Sequence, residues 1–310
     1  MARIHTSPMR RRANGYTLIE LMVTLVLSLL VLIAGLSFYL MSRSSYATID
    51  DNANLEERGN FAISTIARLV RQTAYIPAND DGGPMQLSAK MLAGLDNCST
   101  PNNSETLACG AGTAVNGSDV LMVRYYGISS TTNPDLPDDS VVDCSGLGVA
   151  GTTDADLADS KRGLSMLFVA NGANNKPSLM CKYRQRVAGE ETDTFVTQEL
   201  VPGVETFQVL YGIKANDDDE VPDKFLTASA MSAADWPQVV TVKIAMVVRA
   251  DNASADAGTP PTIRLFGTLY DGAGATFTPT VDTQAARRLY YATLQIRNYQ
   301  SCLSEDPSCL

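Results

Sequence analysis

The hydrophobic rhythm of the chain changes twice. From Leu21 to Met41 there are 21 residues without a charge, dominated by Leu, Val, Ile, Phe and Met. As a helix this stretch would be about 32 Å long, enough to cross the hydrocarbon core of a bilayer. Beyond Met41 the apolar positions thin to helical spacing. In LEERGNFAISTIARLVRQTAYIP, Leu55, Ala62, Ile66, Leu69, Val70 and Thr73 fall near one face. Glu56, Arg58, Arg68, Arg71 and Gln72 lie largely on other faces. Pro77 and the run Asn79-Asp80-Asp81-Gly82-Gly83-Pro84 supply the stop. The pattern predicts one helix of about 60 residues, apolar all round in its first half and amphipathic in its second, with Gly35 and Gly59 as places to bend.

From about residue 85 the period falls to two. In VVTVKIAMVV, Val240, Val242, Ile244, Met246 and Val248 alternate with Thr241, Lys243, Ala245 and Val247; in LYYATLQIRN, Tyr290, Ala292, Leu294 and Ile296 alternate with Tyr291, Thr293, Gln295 and Arg297. Both read as half-buried strands, as do residues 119–128, 164–170, 179–187, 195–201, 204–212 and 262–270. Turns rich in Gly, Asn, Asp, Ser and Thr separate them. The expected fold class is α+β: a long N-terminal α-helix packed on an antiparallel, sheet-rich domain.

Charge orients this plan. The chain of 310 residues carries a net charge of −10, yet residues 1–15 hold Arg3, Arg10, Arg11 and Arg12 and no acid. The cationic side precedes the apolar run, so the positive-inside bias keeps the N-terminus cytoplasmic and sends the remainder across the membrane. An acidic body has no electrostatic footprint for nucleic acid. The sole histidine, His5, lies in the basic leader, so loss of that leader would exclude His-dependent triads and His-ligated zinc. A cleavable secretory signal would have to use Ala34-Gly35-Leu36-Ser37, and a plain uncleaved anchor is the other simple reading. Neither accounts for Glu20.

A carboxylate at the edge of a membrane helix is costly unless paired. Cleavage between Gly15 and Tyr16 would create a cation, the new α-amine. Four residues separate Tyr16 from Glu20, about 6 Å along the axis, too far for a good bond within one chain. A parallel neighbour displaced by that distance would bring its amine to this carboxylate. Gly15-Tyr16-Thr17-Leu18-Ile19-Glu20-Leu21 resembles the class III signal of type IV pilins and type II secretion pseudopilins. The resemblance implies that a prepilin peptidase cuts after Gly15 and methylates Tyr16, and that Glu20 serves subunit assembly. Where the family usually has Phe, this chain has Tyr16, and both rings suit the membrane interface.

The segments NFAISTIARLVRQTAYIP, LVPGVETFQVLYGI, WPQVVTVKIAMVVRA and RRLYYATLQIRNY are similar to parts of the PilW group of minor pilins. That resemblance implies a leader over 1–15, a membrane and assembly half over 16–41, an amphipathic half over 42–76, and a β-rich periplasmic or extracellular domain over 77–310. It further implies incorporation at or near a pilus tip. The implied partners are other minor pilins, the major pilin and a PilY-type tip adhesin, with no catalysis. Alternatives are a type II secretion pseudopilin, which shares the N-terminal chemistry, a pilus-borne adhesin, and a membrane-anchored periplasmic enzyme.

Six cysteines, Cys98, Cys109, Cys144, Cys181, Cys302 and Cys309, lie beyond the membrane segment, where disulfides persist. Of the fifteen connectivities, the sequential one is expected: Cys98 with Cys109, Cys144 with Cys181, Cys302 with Cys309. No CxxC pair supports a metal site instead. In NDDDEVPDKF, Asp217, Asp219 and Asp223 offer hard oxygen ligands for calcium, but the spacing lacks the glycine and distal glutamate of an EF-hand, and a solvated hairpin turn is the plainer expectation. Trp236 is expected to pack in the core or at a sheet edge.

Overall fold

A computed structural model describes residues 15–74, 91–104, 106–151, 162–172, 175–187, 190–214, 221–253 and 261–298. The chain forms two compact units, residues 1–50 and 51–310. A single helix, α1, runs from Leu18 to Gln72 and contributes to both. Thr73 and Ala74 close it, the latter at φ 60°, so the helix stops short of Pro77.

In the second unit the amphipathic stripe does what its spacing requires. Leu55, Ala62, Ile66, Leu69 and Val70 are buried in one apolar cluster together with residues from two antiparallel sheets. The first sheet has the order β1-β2-β3-β4-β5, formed by Leu92–Leu95, Val120–Tyr125, Gly163–Asn171, Pro177–Val187 and Glu190–Pro202. The second has the order β11-β8-β6-β7, formed by Ala285–Gln295, Val239–Ala253, Val204–Ile213 and Lys224–Leu226. A short hairpin, β9 (Ile263–Arg264) with β10 (Thr276–Phe277), stands apart. Period-two alternation explains why the sheets are covered on both sides. Val120, Met122, Leu164, Met166 and Phe168 form a second cluster with Cys98, and Leu210, Ala245 and Val247 form a third with Leu265, Phe266 and Phe277.

The expected strand over 262–270 is the main departure. Only Ile263 and Arg264 pair, because Gly267 takes φ 85° and turns the chain, and Leu265 and Phe266 are used as a lid on the third cluster. Gly59 likewise has a role other than bending: the ring of Tyr290 lies where a side chain at that position would project, and its hydroxyl donates to the Leu55 carbonyl at 2.7 Å. Trp236 packs edge-to-face on Tyr211, ring centroids 4.9 Å apart.

Two connections between the sheets involve β6. At the first, Gly203 alone separates β5 from β6; its φ of 81° is the left-handed turn that glycine adopts without strain, and a Cβ there would meet the Arg249 carbonyl oxygen at 2.8 Å. At the second, the entry to β2 is laced onto β6. The Asp119 amide donates to the Phe207 carbonyl at 2.8 Å, and the Asp119 carboxylate accepts from the amides of Val209 (2.9 Å) and Asn97 (3.1 Å). Gln208 Nε2 adds a bond to the Gly117 carbonyl at 2.7 Å. Burial outweighs the two amide donors and pushes the Asp119 carboxyl up to about 7. Beside it, burial raises the Tyr211 hydroxyl well above its ordinary value.

A buried ion network braces the second sheet. Arg287 makes two bonds to Glu205, at 2.6 and 2.9 Å, and Arg249 reaches Asp282 at 2.6 Å and Glu205 at 3.8 Å. Removing Glu205 strands the buried Arg287 guanidinium without a carboxylate, while Arg249 keeps Asp282. Glu205→Ala in the full chain, solubilised in detergent, should lose about 3 kcal/mol of unfolding free energy; denaturant titration checks this, and a loss below about 1 kcal/mol contradicts the buried network.

Asp119 gives a pH dependence of definite sign. Its folded value lies above the ordinary value of 3.8, so the folded chain holds a proton that the unfolded chain releases. Stability from this group is full below pH of about 4 and is lost as pH rises toward about 7, by up to about 1.4 kcal/mol per pH unit. Denaturant titrations of wild type and Asp119→Asn from pH 8 to pH 5 should therefore show the difference moving in favour of the wild type on acidification. A difference independent of pH rules the raised value out.

Candidate assembly site

The candidate site is built on the first turn of α1. Gly15, Tyr16 and Thr17 precede the helix, which starts at Leu18. Thr17 is its N-cap: the Glu20 amide donates to Thr17 Oγ1 at 3.3 Å, while the Leu21 amide donates to the Thr17 carbonyl at 3.2 Å. Thr17-Leu18-Ile19-Glu20 thus has the spacing of a capping box, and the acid in the first turn complements the helix macrodipole. Sequence reasoning passed over Thr17, although Thr followed three residues later by Glu, just before an apolar run, was the available signal.

Capping explains why an acid is tolerated at position 20, but leaves its carboxylate unused. Among the described residues nothing pairs with the Glu20 side chain. Tyr16 is 85% exposed, so the Gly15–Tyr16 bond is accessible. Every large apolar side chain from Leu18 to Met41 is exposed within the chain, including Leu21, Leu25, Leu29, Ile33 and Phe38. The helix is long and apolar enough to cross a membrane. Two of its hydroxyls suit an apolar solvent because they bond back to the helix: Thr24 Oγ1 to the Leu21 carbonyl at 2.9 Å and Ser28 Oγ to the Thr24 carbonyl at 2.7 Å.

The other sequence candidates lie elsewhere. Cys98 is joined to Cys109 and Cys144 to Cys181, with Cα atoms 5.8 Å apart in each pair. The first closes a loop over the outer face of the five-stranded sheet, where Lys182 Nζ also donates to the Pro101 carbonyl and to Asn103 Oδ1. The second ties the loop at Cys144 to β4. Cys302 and Cys309 lie outside the described residues, as do Asp217 and Asp219; Asp223 is exposed at the entry to β7. Among the described residues no three His, Cys, Asp or Glu side chains are grouped to hold a metal ion. A groove of about 490 Å³ runs between Phe61, Thr65 and Arg68 of α1 and the Cys144–Gly146 loop, with Leu200 at its wall.

Comparisons with known proteins fall on these same features. Residues 10–36 match the prokaryotic N-terminal methylation motif, which covers Gly15, Tyr16 and Glu20. Residues 166–298 match type IV pilus-assembly protein W, a span that takes in most of β3 and everything from β4 to β11. No curated protein matches the chain. Among solved structures, a type IV-like pilin from Thermus thermophilus is similar at 10% identity and a TM-score of 0.39, covering 79% of this chain and 97% of that one. The chain thus carries a prokaryotic N-terminal methylation motif on its first helix and resembles type IV pilus-assembly protein W over the segment that forms most of its sheets.

Proposed function

We propose that this protein is a minor subunit incorporated at or near the tip of a type IV pilus, where it helps to prime assembly with other minor pilins and a PilY-type tip adhesin. It starts in the inner membrane with its N-terminus cytoplasmic and its sheet domain periplasmic. Prepilin peptidase cuts after Gly15 and methylates the amine of Tyr16. The observation that carries this reading is the Glu20 carboxylate, without a partner among the described residues, in the first turn of an exposed apolar helix. Burying that helix among others in lipid makes an unpaired carboxylate expensive, and the N-terminal amine of a parallel neighbour is the cation that the first turn leaves room for. A subunit that retains this acid needs a neighbour above it and is therefore not outermost. The role is structural rather than catalytic. A type II secretion pseudopilin would use the same N-terminal chemistry, and the pilus-assembly match over 166–298 favours the pilus.

Mass spectrometry of membrane-derived protein should find an N-methylated tyrosine at position 16; an intact Met1, or a cut near Ala34, would contradict the reading. Gly15→Leu should leave the full-length precursor in the membrane. Glu20→Ala should insert and be processed normally, yet recover about tenfold less of the other minor pilins on co-purification. Unchanged recovery would remove Glu20 from assembly.

A further inference from the structure

Between Arg124 and Lys161 the chain has no basic residue, and Asp135, Asp138 and Asp139 share one surface loop there. The loop is held in shape by its own bonds. The Ser130 amide donates to the Leu136 carbonyl at 2.8 Å, the Asp138 amide to the Ile128 carbonyl at 2.9 Å and the Asp135 amide to Asn133 Oδ1 at 3.0 Å. Pro134 and Pro137 fix two further backbone angles. Between these prolines Leu136 is 43% exposed. Ser140 occupies one oxygen of Asp138, whereas the carboxylates of Asp135 and Asp139 have no partner among the described residues.

The last turns of α1 carry the opposite pattern. From Arg58 to Gln72 the helix holds Arg58, Arg68 and Arg71 and no acid. Arg58 is committed to Asp251 at 2.5 Å. Arg68 and Arg71 are exposed, and no side chain among the described residues pairs with either. Phe61, two turns before Arg68 on the same side of the helix, is 50% exposed. Phe61 and Arg68 line the groove that Leu200 and the Cys144–Gly146 loop complete. Positive charge near a helix C-terminus suits the macrodipole. It gives no reason for an apolar slot beside it.

We propose that this groove receives the 133–139 loop of a second copy of the chain, with Leu136 entering between Phe61 and Leu200 and with Asp135 and Asp139 meeting Arg68 and Arg71. Charge complementarity selects the occupant. The groove offers two unpaired cations beside an apolar slot, and the loop offers an exposed leucine between two unpaired acids. Other exposed apolar side chains lack that frame. Asp282 beside Val281 and Asp223 beside Val221 are already engaged, and Leu269 has Asp271 alone. Within one chain the loop is pinned with Leu136 outward while the groove stays open, so the two surfaces meet only between copies. A loop already held in its shape loses little freedom on docking. The contact belongs to residues 51–310 and depends neither on cleavage after Gly15 nor on the pairing of Glu20.

The test uses the full chain in detergent, as a mixture of isotopically labelled and unlabelled protein, with Phe61 replaced by the photocrosslinker benzoylphenylalanine. Irradiation should join position 61 to residues 133–139 in products that combine one labelled and one unlabelled chain. Arg68→Asp together with Arg71→Asp should cut that product at least about tenfold, and adding Asp135→Arg and Asp139→Arg should restore it. Denaturant titration of each variant separates loss of the contact from loss of the fold. Crosslinks between copies that map elsewhere, crosslinks confined to a single chain, including any to residues 299–310, attachment to a different protein, or no crosslink at all would overturn the proposal. So would a lowered yield that charge reversal on the loop leaves unrestored. The mapping itself, made with both charge sets intact, decides the matter even if a reversed variant fails to fold.

Discussion

The constraint on which the second unit depends is the burial of one helical stripe. Leu55, Ala62, Ile66, Leu69 and Val70 share an apolar cluster with inward-facing residues of both sheets. No part of that cluster is closed without the others: the sheets would expose Val123, Leu167, Val209 and Ile244, and the helix would expose a face too apolar for water. The one-residue corner at Gly203 and the lacing at Asp119 then follow as requirements. Two sheets that cover the same helix must be held at a fixed relation, and both devices do so with backbone hydrogen bonds, where geometry tolerates little slack.

The first half of α1 obeys a different rule. Between Leu18 and Met41 there is no stripe, because apolar side chains point in every direction and none is buried within the chain. A helix of that kind is finished only by lipid or by other helices. The same reasoning gives Glu20 its meaning. Capping by Thr17 supplies a local reason for an acid at the third helical position, but a first-turn carboxylate beside an accessible Gly15–Tyr16 bond is suited to something more than dipole compensation.

How much of this was legible in the sequence depends on whether a local pattern carried it. The long helix, its change from uniform to striped hydrophobicity, and strands β2 to β6, β8 and β11 are periodic over enough residues to be read directly. The sequential pairs Cys98–Cys109 and Cys144–Cys181 are the ones the structure joins. Strands of 2 to 4 residues, β1, β7, β9 and β10, hold too few positions for a period to show. Residues 262–270 misled because Leu265 and Phe266 are apolar in order to cover a neighbouring sheet, a reason that no local alternation encodes. Gly59 is similar: it reads as a weak point in a helix, and only the ring of Tyr290, 231 positions away in sequence, explains it. Thr17 was legible and overlooked.

The acids show the limit most clearly. Asp119 and Glu205 sit among many carboxylates in an acidic chain, and nothing nearby in sequence marks them. Their significance comes from partners brought in by the fold: Val209 and Asn97 for the first, Arg287 and Arg249 for the second. Glu20 differs because it violates its own surroundings, a charge entering an uncharged run, and that violation is visible without any fold. Sequence therefore exposes a functional acid when its local environment opposes it, and conceals one whose environment is assembled from distant strands. For this protein the assembly role proposed for Glu20 falls in the first category and the internal bracing by Asp119 and Glu205 in the second.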